Sequence, residues 1–160
     1  MAQVDCFLKI DGVTSESEDK KHKEEIEVES WSWGETNMGS AGHGGGAGTG
    51  KVLPQDLNII KRVDKSSAVL FIHCSTGTPF KNAVLTQRKA GEGQQDYLII
   101  TMENVMVSSY QVNGSGEGIP MESLALNFDS LEFSYKPQKE GGGLGGEVKQ
   151  KYSFKENVKV

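Results

Sequence analysis

Apolar residues return at every second position through most of this chain, a spacing that only an extended strand turns into a single buried face. In residues 4–10, Val4, Cys6, Leu8 and Ile10 share one side while Asp5 and Lys9 share the other, with Phe7 as the exception. The alternation recurs in residues 25–33, 82–89, 96–112 and 124–135, more weakly in 52–63, and again in Val148, Tyr152, Phe154, Val158 and Val160. Pro54 suits an edge or a strand start, because proline has no N–H to give a ladder. One stretch departs from the pattern. The apolar run 68–72 with Cys74, preceded by Asp64 as a candidate cap and followed by Gly77 as a stop, predicts a single helix with a buried face. A mainly β sandwich or barrel follows.

The phase of the alternation flips twice. Ile26 and Val28 point one way, but Trp31 and Trp33 fall in the opposite phase with the glutamates. Either a β-bulge near Glu29 and Ser30 swaps the faces, or the tryptophans lie outside, where another subunit buries them. Leu124, Leu126 and Phe128 likewise change phase to Leu131, Phe133 and Tyr135, which predicts a bulge at Asp129 or Ser130 of the kind that curls a sheet toward a barrel. The run 96–112 is long for one strand. Residues 90–93 read as a hairpin loop, residues 113–118 as a glycine turn and residues 141–146 as a further loop.

Residues 39–50, which include Gly39, His43, Gly44, Gly45, Gly46, Gly48 and Gly50, are too many and too glycine-rich for a tight turn. A connection of that length within one small domain is usually functional, so this segment is expected to project and dock on a neighbouring copy, with Trp31 and Trp33 as further interface candidates. The charge-dense residues 15–25 carry no apolar period and are expected to form a solvated loop. With 160 residues, a single domain spanning 1–160 is expected. A net charge of -5 argues against nucleic acid as a partner, since phosphate binding needs clustered Lys and Arg. No basic n-region and no apolar stretch of spanning length is present, so neither an export signal nor membrane insertion is expected. Cys6 and Cys74 are expected to be buried thiols.

Catalytic and cofactor chemistry finds no footing. Residues 45–52 approach a phosphate loop, but Val52 stands where a magnesium-binding hydroxyl is needed and no helix follows. Residues 141–146 match a dinucleotide fingerprint in letters only, because they precede a strand instead of opening a helix after one. His22, His43 and His73 lack ligand spacing, and no serine sits in a nucleophile elbow. Glu24 and Glu25 belong to the charged loop and are expected to form a solvated face. No cofactor, no metal and no catalytic residue is expected.

Several blocks, in order, carry a resemblance: Glu16-Ser17, Asp19, His22, Glu25-Ile26, Val28 and Trp31-Ser32-Trp33-Gly34; then the glycine-rich loop, Gln55-Asp56-Leu57, Asp64-Lys65-Ser66 and Arg88-Lys89-Ala90-Gly91; then Tyr97-Leu98-Ile99-Ile100-Thr101, Val107-Ser108-Ser109, Leu126-Asn127-Phe128 and Tyr135-Lys136-Pro137-Gln138. Together they resemble the haemolysin-coregulated protein (Hcp) family of type VI secretion systems over essentially the whole chain. The resemblance implies a β-barrel of two packed antiparallel sheets with one short flanking helix. It also implies hexameric rings that stack into a hollow tube, driven out of the bacterium by a contractile sheath behind a spike protein. Small effectors ride in the lumen, and secretion from the cytoplasm proceeds without a signal peptide. Ser30 and Ser32 alternate with Trp31 and Trp33 and therefore face away from them, so they become the candidate lumen-facing, cargo-contacting residues.

Two rival readings remain at this point. A carbohydrate-binding β-sandwich would show exposed aromatics on a platform, with Trp31 and Trp33 as the candidates. An enzyme would need residues gathered at the barrel mouth, for which no paired motif is present.

Overall fold

The computed structural model describes residues 5–37, 39, 51–89 and 95–160. Along the chain run β1 (Cys6–Ile10), β2 (Ile26–Glu27), β3 (Ser30–Ser32), β4 (Glu35–Asn37), β5 (Val52–Pro54), β6 (Leu57–Arg62), α1 (Ser67–Thr76), β7 (Phe80–Arg88), β8 (Asp96–Asn113), β9 (Met121–Asn127), β10 (Ser130–Tyr135), β11 (Val148–Ser153) and β12 (Val158–Lys159). A wide sheet has the order β2-β1-β7-β8-β10-β11-β12, and a narrow one the order β3-β6-β9-β8, all antiparallel. The strands β4 and β5 pair with each other as a separate two-stranded arm. Leu8, Leu85, Ile100 and Met102 of the wide sheet are fully buried against Leu57, Ile59, Leu124 and Leu126 of the narrow one. At about 25 cal/mol per Å² of apolar surface removed from water, this two-layer core is the main source of stability.

The length of β8 has a simple reason: its 18 residues serve both sheets. Up to Val105 it lies between β7 and β10, and from Met106 it pairs with β9. The passage occurs at Asn104, a non-glycine residue at φ 50, whose side-chain amide donates to Asp129 Oδ2 at 2.8 Å. Asp129 itself occupies the passage from β9 to β10 and donates its N–H to the Glu103 carbonyl at 3.0 Å.

The same device explains both phase flips, and bulges do not. Val28 donates its N–H to Cys6 of the wide sheet at 3.0 Å, and the next residue, Glu29, donates to Ile60 of the narrow sheet at 2.9 Å. The chain changes sheet at this point, so the inward side inverts and Trp31 and Trp33 join Ile26 and Val28 at the core. Between Phe128 and Asp129 the chain crosses back, and Leu131 turns inward. Strands that switch sheets make corners in this way. Among the described residues the two sheets share β8 without closing: β2, β12, β3 and the distal half of β8 are left as edges. The expected two packed antiparallel sheets and one short helix are present, and among the described residues the sheets form an open sandwich with no closed barrel.

Two further expectations are corrected. The helix cap is Ser66, not Asp64, although Asp64 accepts the Ser66 N–H at 2.9 Å; the helix ends as expected at Gly77, whose φ of 68 suits a residue without Cβ. Only Ser67 and Leu70 of the helix are buried, while Val69, Phe71 and Ile72 are exposed and Cys74 is half-buried. Residues 15–25 are more than a solvated loop. Ser15, Ser17 and His22 are buried, with Ser15 and Ser17 exchanging backbone hydrogen bonds with Glu24 and Glu25. The His22 ring stacks on Phe7 at 4.5 Å, which accounts for Phe7: it is apolar on the outer face because this loop covers it.

Candidate assembly surfaces

The outer face of the narrow sheet is built from the alternation itself. Inward Leu57, Ile59 and Lys61 leave Asn58 and Ile60 outward, and cross-strand pairing sets Ser30 beside Ile60 and Ser32 beside Asn58. Continuing across β9 and β8, one row reads Ser30, Ile60, Ser123 and Gln111, and the next Ser32, Asn58, Ala125 and Ser109. Ser30 and Ser32 are both exposed. The face is uncharged along these two rows, and all but Ile60 are polar or small. Among the described residues no strand covers the outer edge of β3 or the outer edge of β8 beyond Met106.

Trp31 and Trp33 stand where the narrow sheet ends above the wide one. Both are half-buried against the core, and both indole N–H groups bond within the chain, Trp31 to Gln87 Oε1 at 3.1 Å and Trp33 to the Gln55 carbonyl at 2.9 Å. Beyond them the inner face of the wide sheet has no cover. Phe133 pairs with buried Ile100, and Tyr135 with Leu98 and Val148, yet Phe133 and Tyr135 are each 42% exposed and Val148 is 62% exposed. A hollow of about 400 Å³ between Trp33, Phe133, Tyr152 and Phe154 opens on this overhang. Val69, Phe71 and Ile72 on the helix form a second apolar patch, with Phe71 against Tyr110 at 6.4 Å. Contiguous apolar surface of this kind marks an interaction site on a soluble domain. A flat aromatic platform for a sugar is not what the two tryptophans make.

The third candidate is only partly visible. Gly39 is exposed, next to the arm formed by β4 and β5; His43, Gly44, Gly45, Gly46, Gly48 and Gly50 lie outside the described residues.

Charged residues at the core were not anticipated. Lys61 and Glu122 are fully buried cross-strand partners joined by an ion pair, and Lys61 Nζ also meets Asp64 Oδ1 at 2.9 Å. Glu122 accepts from Ser67 Oγ at 3.0 Å and from the Tyr110 hydroxyl, so the network ties the start of the helix to the narrow sheet. Burial, then Glu122, pushes the Tyr110 hydroxyl up to about 12. Burial alone would raise Asp64, but hydrogen bonds from Ser66 and Lys61 and the lysine charge outweigh it and hold the carboxyl below its usual range. The signal was present in the sequence: Lys61 is in phase with Leu57 and Ile59, and Glu122 with Leu124 and Leu126. On the opposite face of the molecule, buried Arg88 lies over Phe7 at 5.0 Å and pairs with Asp19 at 2.7 Å, while His22 meets Glu25 and Asp96 at 3.0 Å. Burial pushes the Cys6 thiol up to about 12, so it is unreactive. Among the described residues no group of His, Cys, Asp and Glu is arranged to hold a metal ion, and no helix is long and apolar enough to cross a membrane.

A family model described as "Type VI secretion system effector, Hcp" matches residues 7–135. The chain is 48% identical to Protein hcp1 of Pseudomonas aeruginosa over 160 residues, which cover 98% of this chain and 99% of that one. A solved structure described as that of a type six secretion system protein superposes with a TM-score of 0.92 at 30% identity, covering 99% of this chain and 100% of the other. Hcp1 of Salmonella typhimurium superposes with a TM-score of 0.83 at 34% identity over 98% of each chain.

Proposed function

The chain belongs to the Hcp family and serves as a tube subunit of the type VI secretion system, and from that premise we propose that it works as a closed hexameric ring whose bore is walled by the narrow sheet. The observation that carries this reading is the combination of two uncovered strand edges with a polar outer face on one and the same sheet. A sheet with an open edge on each side pairs head to tail with its copies, and a rotation that closes makes a ring instead of a filament. Ser30 and Ser32 then line the passage, where small uncharged side chains leave room for different small effector proteins without favouring one.

The apolar overhang at Phe133 and Val148 is the part of the wide sheet that a neighbouring copy covers. Residues 39–50 dock on an adjacent subunit and help rings to stack. The sheath and spike of the machine are the further partners, and release into the medium or a target cell follows assembly in the cytoplasm. The role is structural and asks for no catalytic group. Native mass spectrometry of the purified protein at micromolar concentration tests the ring: a sixfold mass is expected, and a strictly monomeric one overturns the reading.

A further inference from the structure

At the end of the wide sheet where β1 and β8 begin and β7 and β10 end, a cavity of about 380 Å³ opens between Asp5, Arg88, Lys89, Tyr97, Tyr135 and Lys136. Its floor is unusual. Arg88 is only 2% exposed, and its Nε finds no hydrogen-bond partner among the described residues; Asp5 Oδ1, in the same cavity, is likewise buried without one. A buried donor or acceptor left unmade costs as much as a good hydrogen bond gains, so such groups ask to be met. The backbone already holds them side by side, since the Arg88 N–H donates to the Asp5 carbonyl at 2.7 Å. Arg88 Nη1 is already paired with Asp19 at 2.7 Å, so the added positive charge comes from Lys89 and Lys136 at the rim, two cations beside the Asp5 carboxylate on a chain whose net charge is -5. The wall opposite is aromatic, with Tyr97 and Tyr135 edge to face at 6.3 Å.

The geometry points to a binding site for the carboxyl-terminal end of a peptide chain. Such an end offers, one carbon apart, a carboxylate and an amide N–H, which match the Arg88 donor and the Asp5 acceptor. Its last side chain, apolar or aromatic, lies against the tyrosine pair. Guanidinium favours carboxylate over neutral acceptors because its fork is planar and permanently charged, and the rim lysines add attraction without fixing direction. A phosphate would meet the cations but leave the Asp5 oxygen facing a second anion. A free amine would satisfy Asp5 and waste the cations. This site is separate from the proposed bore and needs no ring.

Binding is read by two-dimensional NMR of the full chain, following the Arg88 Nε–Hε signal and the Tyr97 and Tyr135 rings. The probes are N-acetyl-leucine, its carboxamide, and the tripeptide Ala-Ala-Leu. N-acetyl-leucine and the tripeptide should both shift these signals saturably, and the carboxamide should bind about tenfold more weakly or not at all, as loss of a buried charged contact requires. Tighter binding of the tripeptide than of N-acetyl-leucine marks a protein terminus as the occupant, and equal binding marks a small acylated amino acid. Carboxamide binding equal to that of the acid, or no shift with either acid, overturns the proposal. Arg88→Lys should abolish binding. Because Arg88 also packs on Phe7, the Lys89→Ala/Lys136→Ala double variant serves as the second arm: it should keep the native spectrum and weaken both acids by about fivefold, and unchanged affinity counts against the site.

Discussion

Lys61 and Glu122 face each other directly across β6 and β9, both without solvent exposure, and form an ion pair inside the sandwich under the start of the helix. Removing one partner leaves the other charged and buried. Lys61→Met should therefore cost about 3–5 kcal/mol, whereas Lys61→Met combined with Glu122→Leu should recover part of that loss. Denaturant titration of the three proteins decides this, and a double variant less stable than the single one refutes it.

Asp64 adds an acid-sensitive part to the same network. Folding lowers its pKa, so its contribution is complete above the unfolded aspartate value of about 3.9 and disappears as pH falls through the lower folded value. Asp64→Asn should be less stable than the parent at neutral pH, with the gap narrowing below about pH 4. Urea midpoints across that range check it; a gap that widens in acid contradicts it.

Phe133 packs on the wide sheet beside Ile100 but is 42% exposed where the narrow sheet no longer covers it. Phe133→Ser should change the stability of the single chain by only about 1 kcal/mol, since little buried surface is lost. Its effect should appear in assembly, as a shift from ring to monomer in native mass spectrometry.

Ser32 is exposed on the outer face of the narrow sheet. Ser32→Gln should preserve folding and ring formation while weakening retention of effector proteins in co-purification. Unchanged retention, or a ring structure with this side chain on the outside wall, removes Ser32 from the bore.

The arm of β4 and β5 pairs only with itself among the described residues, and the segment between the two strands is glycine-rich. Replacing residues 39–50 by a short Asn-Gly turn should leave the melting temperature of the domain nearly unchanged and impair ring stacking. Unaltered rings and stacks by electron microscopy would exclude a docking role.

How much of this was legible follows from what alternation encodes. The period of two located most strands and set Ser30 and Ser32 facing away from Trp31 and Trp33, and a glycine after the apolar run located the helix terminator Gly77, because each depends on neighbours within a few residues. The phase flips at Ser30 and Ser130 were visible as well, but their cause was not: a bulge and a change of sheet leave the same mark on a one-dimensional pattern, and only the partners of Val28 and Glu29 distinguish them. The exposed apolar face of the helix escaped for a related reason. Val69, Phe71 and Ile72 look like core residues because an apolar run does not say which side of a helix meets the sheets, and here that side carries Ser67 and Leu70. The cover of His22 over Phe7 joins distant segments and has no local signature.

A strand that belongs to two sheets also has a mechanical meaning. The layers of an ordinary sandwich are held by side-chain packing and can slide under shear. Here β8 runs unbroken from one layer into the other, and the passages at Val28–Glu29 and Phe128–Asp129 add two more covalent links. Sliding one layer over the other would strain main-chain bonds at three places instead of merely shifting side chains. Under an axial load the domain then transmits thrust as a stiff block.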